Sequence, residues 1–305
     1  MGVQLLRDGG KGRPAPATDC GRLEALARQI RASCVQMAHQ GREGHLSGTL
    51  SSVDLLVALF HGWLRIDPAH PKHPGRDRFI FSKGHAASAL YAVMADRGFF
   101  PKEWLHRYAQ EHTPLPNHPC AHALPVLECS SGSLGQGLGI GTGMSYGMRL
   151  AGIDARVAVL MSDGECNEGS VWEAAMFAAA NRMDRVLAVV DNNGVQAVGR
   201  SDELMGHTSL AEKFRAFGWR ARTINGNHMV EILAALADVP FEPGRPSAIV
   251  ARTTGGAGVS FMQDDVLWHY RVPSEDDLRR ALDELLAKPI HQAAHGATDG
   301  ATDGD

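Results

Sequence analysis

The 305-residue sequence has no apolar run long enough to span a bilayer, and no apolar core near its start that would serve as a signal peptide. That predicts a soluble, cytoplasmic protein. Charge of one sign is also missing. Thirty Lys and Arg stand against 34 Asp and Glu, a formal net charge of -4, so neither nucleic acid nor a membrane surface has an electrostatic claim on the chain. Any anion must therefore be held by a local site. Cysteine is scarce: Cys20, Cys34, Cys120, Cys129 and Cys166 form no CxxC pair and are odd in number. This argues against a disulfide framework and fits a reducing compartment. Aromatic residues are only 6% of the chain, but 44% of it is hydrophobic, enough for a substantial core at this length. Two nucleotide signatures are absent as well. The glycines between Ser130 and Gly147 recur every second residue, in no register giving G-x-G-x-x-G, and no G-x-x-x-x-G frame is followed by lysine.

What is present centres on residues 156–195. An apolar run from Val157 to Met161 stops at Ser162-Asp163-Gly164. A helical pattern carrying Val171, Ala175, Phe177 and Ala178 follows, and a second apolar run, Val186 to Val190, stops at Asp191-Asn192-Asn193-Gly194. Strand, turn, helix, strand, turn is a βαβ unit with parallel strands. Both polar turns then leave carboxyl strand ends, where open α/β sheets bind ligands. With neighbouring strands, the Asp163 carboxylate, the Asn193 amide oxygen and a nearby backbone carbonyl suit Mg²⁺, which completes its octahedron with water and phosphate oxygens. Either turn alone reads as an ordinary strand closure.

The same alternation runs through the chain. Residues 1–18 read as a loose arm, and Cys20 to Gln40 as a helix between an Asp19 N-cap and a Gly41 C-cap. A polar loop around His45 leads to an apolar helix with Ser52 or Asp54 near its start. A proline-rich connection at 67–77 precedes a buried strand, Phe79 to Phe81, which ends at Ser82-Lys83-Gly84-His85 before a helix from Ala86 to about Arg97. Pro101 reads as the first residue of a helix through Tyr108. Residues 112–129 lack periodicity. His118, Cys120 and His122 lie close in sequence there, but without a fourth ligand at suitable spacing they make a poor zinc site. The turn Gly132 to Gly135 opens a small-residue helix whose free backbone N–H groups suit a phosphate. Helices at Leu210–Phe217 and His228–Ala237 alternate with strands at Trp219–Ile224 and Ala248–Ala251. The fold class is therefore α/β, a doubly wound, mostly parallel sheet with helices on both faces. Residues 253–269 form a long glycine-bearing loop ending in His269. Ser274 caps a closing amphipathic helix to Lys288, and 289–305 read as a disordered low-complexity tail.

Seven motifs taken in order carry a resemblance. They are Gly44-His45, RDRF-x-x-S-x-GH (Arg76 to His85), His118-Pro119, GSLGQG (Gly132 to Gly137), DG-x-x-x-EG (Asp163 to Gly169), the DNN-G turn, and GVSFM with Trp268-His269. Over roughly residues 20–288 the chain resembles the thiamine-diphosphate-binding half of transketolases, and most closely the short N-terminal subunit of split transketolases. The resemblance implies one diphosphate- and Mg-binding domain over 19–288. It assigns Mg²⁺ to Asp163, Asn193 and the Val195 carbonyl, and the cofactor's phosphates to His85, Gly164 and the turn of Gly132, Ser133 and Leu134. It places His45, His85, His118 and His269 around the mouth above the thiazolium, and Glu168 at the subunit contact, coupled to a carboxylate of the partner. Histidine suits proton movement between sugar hydroxyls near neutral pH.

Two positions depart from the family pattern. Ser162 replaces the first glycine of GDG, and Gly255-Gly256 stand where relatives often carry a lysine between glycines. Full-length transketolases also continue into a domain that grips the aminopyrimidine and supplies the activating glutamate. The implied enzyme is thus completed by a separate C-terminal subunit, in an α₂β₂ assembly acting on sugars or sugar phosphates. Two alternatives stay open: another carboligation on the same cofactor, such as deoxyxylulose-phosphate synthesis or a specialised sugar-modifying step, and a non-catalytic partner subunit.

Overall fold

The structure, a computed structural model, describes residues 18–287. The tail expected over 289–305, the arm expected over 1–18 apart from Thr18, and the capping side chain of Asp19 lie outside the described residues. Five parallel strands form the sheet, in the order β1-β2-β3-β7-β6: β1 Arg78–Phe81, β2 Val157–Ser162, β3 Val186–Asn192, β6 Arg220–Asn225 and β7 Ser247–Arg252. A two-stranded hairpin, β4 Val195–Gln196 and β5 Gly199–Arg200, stands apart from it.

Strand side chains alternate between two apolar layers. Ala158, Leu160, Leu187, Val189, Ile249 and Ala251 join one core with α1 (Thr18–Gly41), α2 (Leu46–Ser51), α3 (Val53–Ala58), α4 (Ala87–Arg97) and α9 (Met229–Ala237). Val157, Val159, Met161, Val186, Ala188, Val190, Ala248 and Val250 join the other, with α5 (Gly137–Leu150), α6 (Gly169–Ala180) and α8 (Leu210–Ala216). Burial on both faces is why the central strands read as unbroken apolar runs. The small residues of α5 let it sit against the sheet. A Cβ on Gly141 would lie 2.7 Å from Val159 Cγ2, and one on Gly137 2.2 Å from Ser82 Oγ.

Several local expectations give way to tertiary contacts. The segment after His45 forms two short helices: α2 starts at Leu46, on a left-handed His45 (φ 62°), and α3 follows with Ser52 at its N-cap position, without a side-chain cap, and Asp54 in its first turn. The Ser52 hydroxyl donates to Gly48 O, and Asp54 pairs with buried Arg31 at 2.6 Å. Arg42 (φ 53°), one residue beyond Gly41, takes the left-handed position after α1. Pro101 is extended and precedes a 3₁₀ turn, Lys102–Arg107, in place of an α-helix. Ser274 caps α10 (Glu275–Leu286) in a full capping box with Asp277. No described helix is long and apolar enough to cross a membrane, and all five cysteines are free.

Candidate active site

The two turns singled out in the sequence are neighbours. Strand β2 pairs with β3 with Ser162 opposite Asp191, and Asp163 N donates to Asp191 O at 3.2 Å. The Asp163 carboxylate is buried, and its two oxygens differ. Oδ2 accepts from Gly194 N at 3.1 Å and from the Ser201 hydroxyl at 2.6 Å, while Oδ1 is buried with no partner. Burial raises the pKa of this carboxyl above its ordinary value, against the Ser201 hydrogen bond, which lowers it. Asn193 Oδ1 accepts from Val195 N at 3.0 Å, and its Nδ2 donates to Ser51 Oγ at 3.1 Å. The backbone can turn here because Gly194 adopts φ 70°.

No three His, Cys, Asp or Glu side chains among the described residues converge as a metal cage. An ion at these turns must therefore draw on one carboxylate, an amide oxygen, a main-chain carbonyl and oxygens of a ligand. Such an all-oxygen set fits a hard cation, and the orphaned Asp163 Oδ1 is the atom left for it.

Beside the turns lies the glycine loop. A Cβ on Gly84 would meet Ser131 C at 2.7 Å, and one on Gly132 would meet His118 Cδ2 at 3.1 Å. The loop is tied to the sheet by Glu165, a fully buried carboxylate that the sequence did not single out. Glu165 accepts from Gly135 N at 2.9 Å, from Ser162 N at 3.3 Å and from the Ser82 hydroxyl. Burial raises its pKa. Ser162 Oγ accepts from Glu165 N at 3.2 Å, so the serine replacing glycine closes its own turn. Of the loop residues, Ser133 is exposed and Leu134 half-buried; Glu168, also exposed, flanks Gly135. Gly164 lies against the side chain of Gln196, whose Nε2 is buried without a partner.

The four histidines come together from four separate segments. Ring centroids lie 5.5 Å apart for His45 and His85, 6.5 Å for His45 and His118, 5.3 Å for His45 and His269, and 5.6 Å for His85 and His269. His45 N donates to His269 O at 2.8 Å, locking two of these segments together. Burial lowers the pKa of His45, His85 and His269, the last to about 4, and repulsion from neighbours able to carry a proton pushes the same way: His118 on His45, Lys83 on His85, and His45 and Lys83 on His269. These three imidazoles are neutral at physiological pH, and His269 Nδ1 is buried without a partner.

Between the turns and the histidines runs a buried ion pair that periodicity could not reveal. Lys83 and Asp191 have side chains 0% exposed and bond each other directly. Lys83 Nζ also donates to Gly48 O at 2.8 Å, and Asp191 accepts from the hydroxyls of Ser51 (2.7 Å) and Thr253. The lysine expected by family pattern near 255 has no room in this chain. A Cβ on Gly255 would lie 2.5 Å from Ser47 Oγ, and Gly256 (φ 72°) sits 2.2 Å by the same measure from Met262 O.

Residues 23–292 match the family described as transketolase, thiamine diphosphate binding domain. The chain belongs to the transketolase family. This domain is 34% identical over 263 residues to one of the apulose-4-phosphate transketolase subunits, that of Phocaeicola vulgatus, covering 86% of this chain and 93% of that one. It is 36% identical over 263 residues to the 6-deoxy-6-sulfo-D-fructose transketolase subunit SqwG of a Clostridium species, covering 86% and 96%. Among solved structures, the transketolase of Campylobacter jejuni matches with a TM-score of 0.81 at 27% identity, covering 86% of this chain. The domain spans 42% of that longer chain. The strand-end turns, the glycine loop and the histidine mouth thus belong to a thiamine-diphosphate-binding fold.

Proposed function

We propose that this chain is the cofactor-diphosphate subunit of a split transketolase, which moves a two-carbon ketol unit from a ketose donor to an aldose acceptor. One observation carries the reading. An unpaired carboxylate oxygen at the end of β2 and a cluster of neutral histidines share one end of the sheet, bridged by the Lys83–Asp191 pair. In this reading Asp163, Asn193 and the carbonyl of Val195 hold Mg²⁺, and His85, Gly164 and the Gly132–Leu134 turn hold the diphosphate. When bound, thiamine diphosphate supplies an electron sink for the ketol fragment.

The chain's own residues bind, orient and exchange protons. His45, His118 and His269 face the sugar. A neutral imidazole accepts a proton at one ring nitrogen and donates from the other, as transfer between a sugar hydroxyl and a carbonyl oxygen requires. Burial of His45 and His269 keeps them in that neutral form. Exposed Glu168, beside the glycine loop, meets a carboxylate of the partner.

Two relatives of nearly the same length are named as transketolase subunits, which supports completion by a partner polypeptide. In this reading the partner is a separate C-terminal subunit, in an α₂β₂ assembly. Their names differ in the sugar, so sugars or sugar phosphates are the substrate class. Turnover of a ketose donor with an aldehyde acceptor should need both polypeptides and Mg²⁺. Full activity from this chain by itself would overturn the split-subunit reading.

A further inference from the structure

The hairpin β4–β5 and the short helix after it, α7 (Ser201–Met205), are an excursion that the sheet does not need. They return to the site at two adjacent residues. Arg200 pairs with Asp264, in the loop that carries His269, and its second guanidinium nitrogen donates to Asp264 O at 2.7 Å. Ser201 N donates to Gly194 O at 3.0 Å, and its hydroxyl to Asp163 Oδ2 at 2.6 Å. With Gly194 N on the same oxygen, Oδ2 holds two donors and Oδ1 none.

We propose that Ser201 is a positioning residue for the metal: by occupying Asp163 Oδ2 together with the Gly194 amide, it restricts the carboxylate to one-oxygen coordination through Oδ1. The inference rests on the Mg²⁺ reading of Asp163 given above and adds to it a reason for the choice of ion. Mg²⁺ demands a tight octahedron that single carboxylate oxygens satisfy. Ca²⁺ has a larger, more flexible shell and accepts a carboxylate through both oxygens. Hydrogen-bonding partners of this kind orient metal ligands, and their loss typically costs 10- to 100-fold in affinity. Freed of Ser201, Asp163 can turn and chelate through both oxygens, which favours the larger ion.

The test titrates Mg²⁺ and, separately, Ca²⁺ into the full chain with saturating thiamine diphosphate, read by calorimetry for wild type, Asp163→Ala, Ser201→Ala and Ser201→Thr. Ser201→Ala should bind Mg²⁺ about tenfold more weakly while losing much less for Ca²⁺, so that the Mg²⁺/Ca²⁺ preference falls. Ser201→Thr, which keeps the hydroxyl, should restore the preference. Equal losses for both ions in Ser201→Ala, or no loss at all while Asp163→Ala abolishes binding, would overturn the positioning role alone. Indistinguishable titrations of wild type and Asp163→Ala would overturn the metal reading beneath it.

Discussion

The strand-end turns and the histidine mouth lie at one end of one sheet, yet they are built in opposite ways. The turns come from a single βαβ unit. Asp163 and Asn193 follow paired strands, and Asp163 Oδ2 and Asn193 Oδ1 are bonded by the turn and the excursion just after it, through Gly194, Val195 and Ser201. The mouth is assembled from loops far apart in sequence. Its rings meet largely by contact, and its buried Nδ1 of His269 has no partner. A local unit can fix charge and geometry through its own backbone. A mouth of four loops needs a strut, and Lys83–Asp191 supplies it, reaching Gly48 on the His45 side and the DNN turn on the other.

Breaking the strut should have the largest effect, because it removes the difference between the two regions by damaging both. Lys83→Met leaves Asp191 buried and unpaired, an arrangement that costs about 3–5 kcal/mol. Urea denaturation should show a loss of that size. A loss below about 1 kcal/mol, the range of an exposed pair, would mean that the pair is not the support described.

Asp163→Asn should separate the turn's two properties. The substitution removes a carboxylate that burial disfavours, so without ligand the chain should gain about 1 kcal/mol, as when a function-bearing destabilised site is neutralised. At the same time the melting shift produced by Mg²⁺ with thiamine diphosphate should vanish. A shift retained in full would reject Asp163 as a ligand.

The mouth should respond to pH in the opposite sense to the turn, where burial raises the pKa of the Asp163 carboxyl and so makes stability fall as pH rises. His269 titrates at about 4 in the folded chain against 6.5 in the reference state. Between those values the unfolded chain binds more protons, so stability rises with pH and is lost on acidification, by about 1.4 kcal/mol per pH unit for one such group. His45 and His85 shift in the same direction and steepen the slope. His269→Asn should flatten the stability profile below pH 6.5 and leave it unchanged above. An identical slope in the variant would show that burial at the mouth does not hold this histidine neutral.

The comparison also explains what was legible in the sequence. Strands β2 and β3, buried on both faces, could be read as apolar runs, and their polar stops marked the ligand end. The histidines had no signal of their own and drew meaning from flanking motifs shared with a family. Lys83, Asp191 and Glu165 escaped because a buried charge with its partner far along the chain has no period. Ser201 escaped because a hydroxyl in a short excursion reads as loop. Ser52 and Asp54 do stand at the start of α3, but the short helix α2 before it was not legible, for a related reason. The segment at His45 is held by the carbonyl of His269, and Asp54 is committed to Arg31, both contacts from outside the local window.

The smallest expected effect tests the turn against its own neighbour. Ser162 and Asp163 are adjacent, yet Ser162 turns to Glu165, its N–H donating to Glu165 Oε2 and its Oγ accepting from Glu165 N, whereas Asp163 keeps one oxygen free. Replacing Ser162 by the glycine of the family pattern removes one side-chain hydrogen bond and adds backbone freedom to the unfolded chain. Together these should lower stability by about 1 kcal/mol. The Mg²⁺-dependent melting shift should be unchanged, because Asp163 keeps both of its donors. If Ser162→Gly instead weakened the ligand response while stability held, the serine would be acting on the ligand, and the division between a residue that closes the turn and one that uses it would fall.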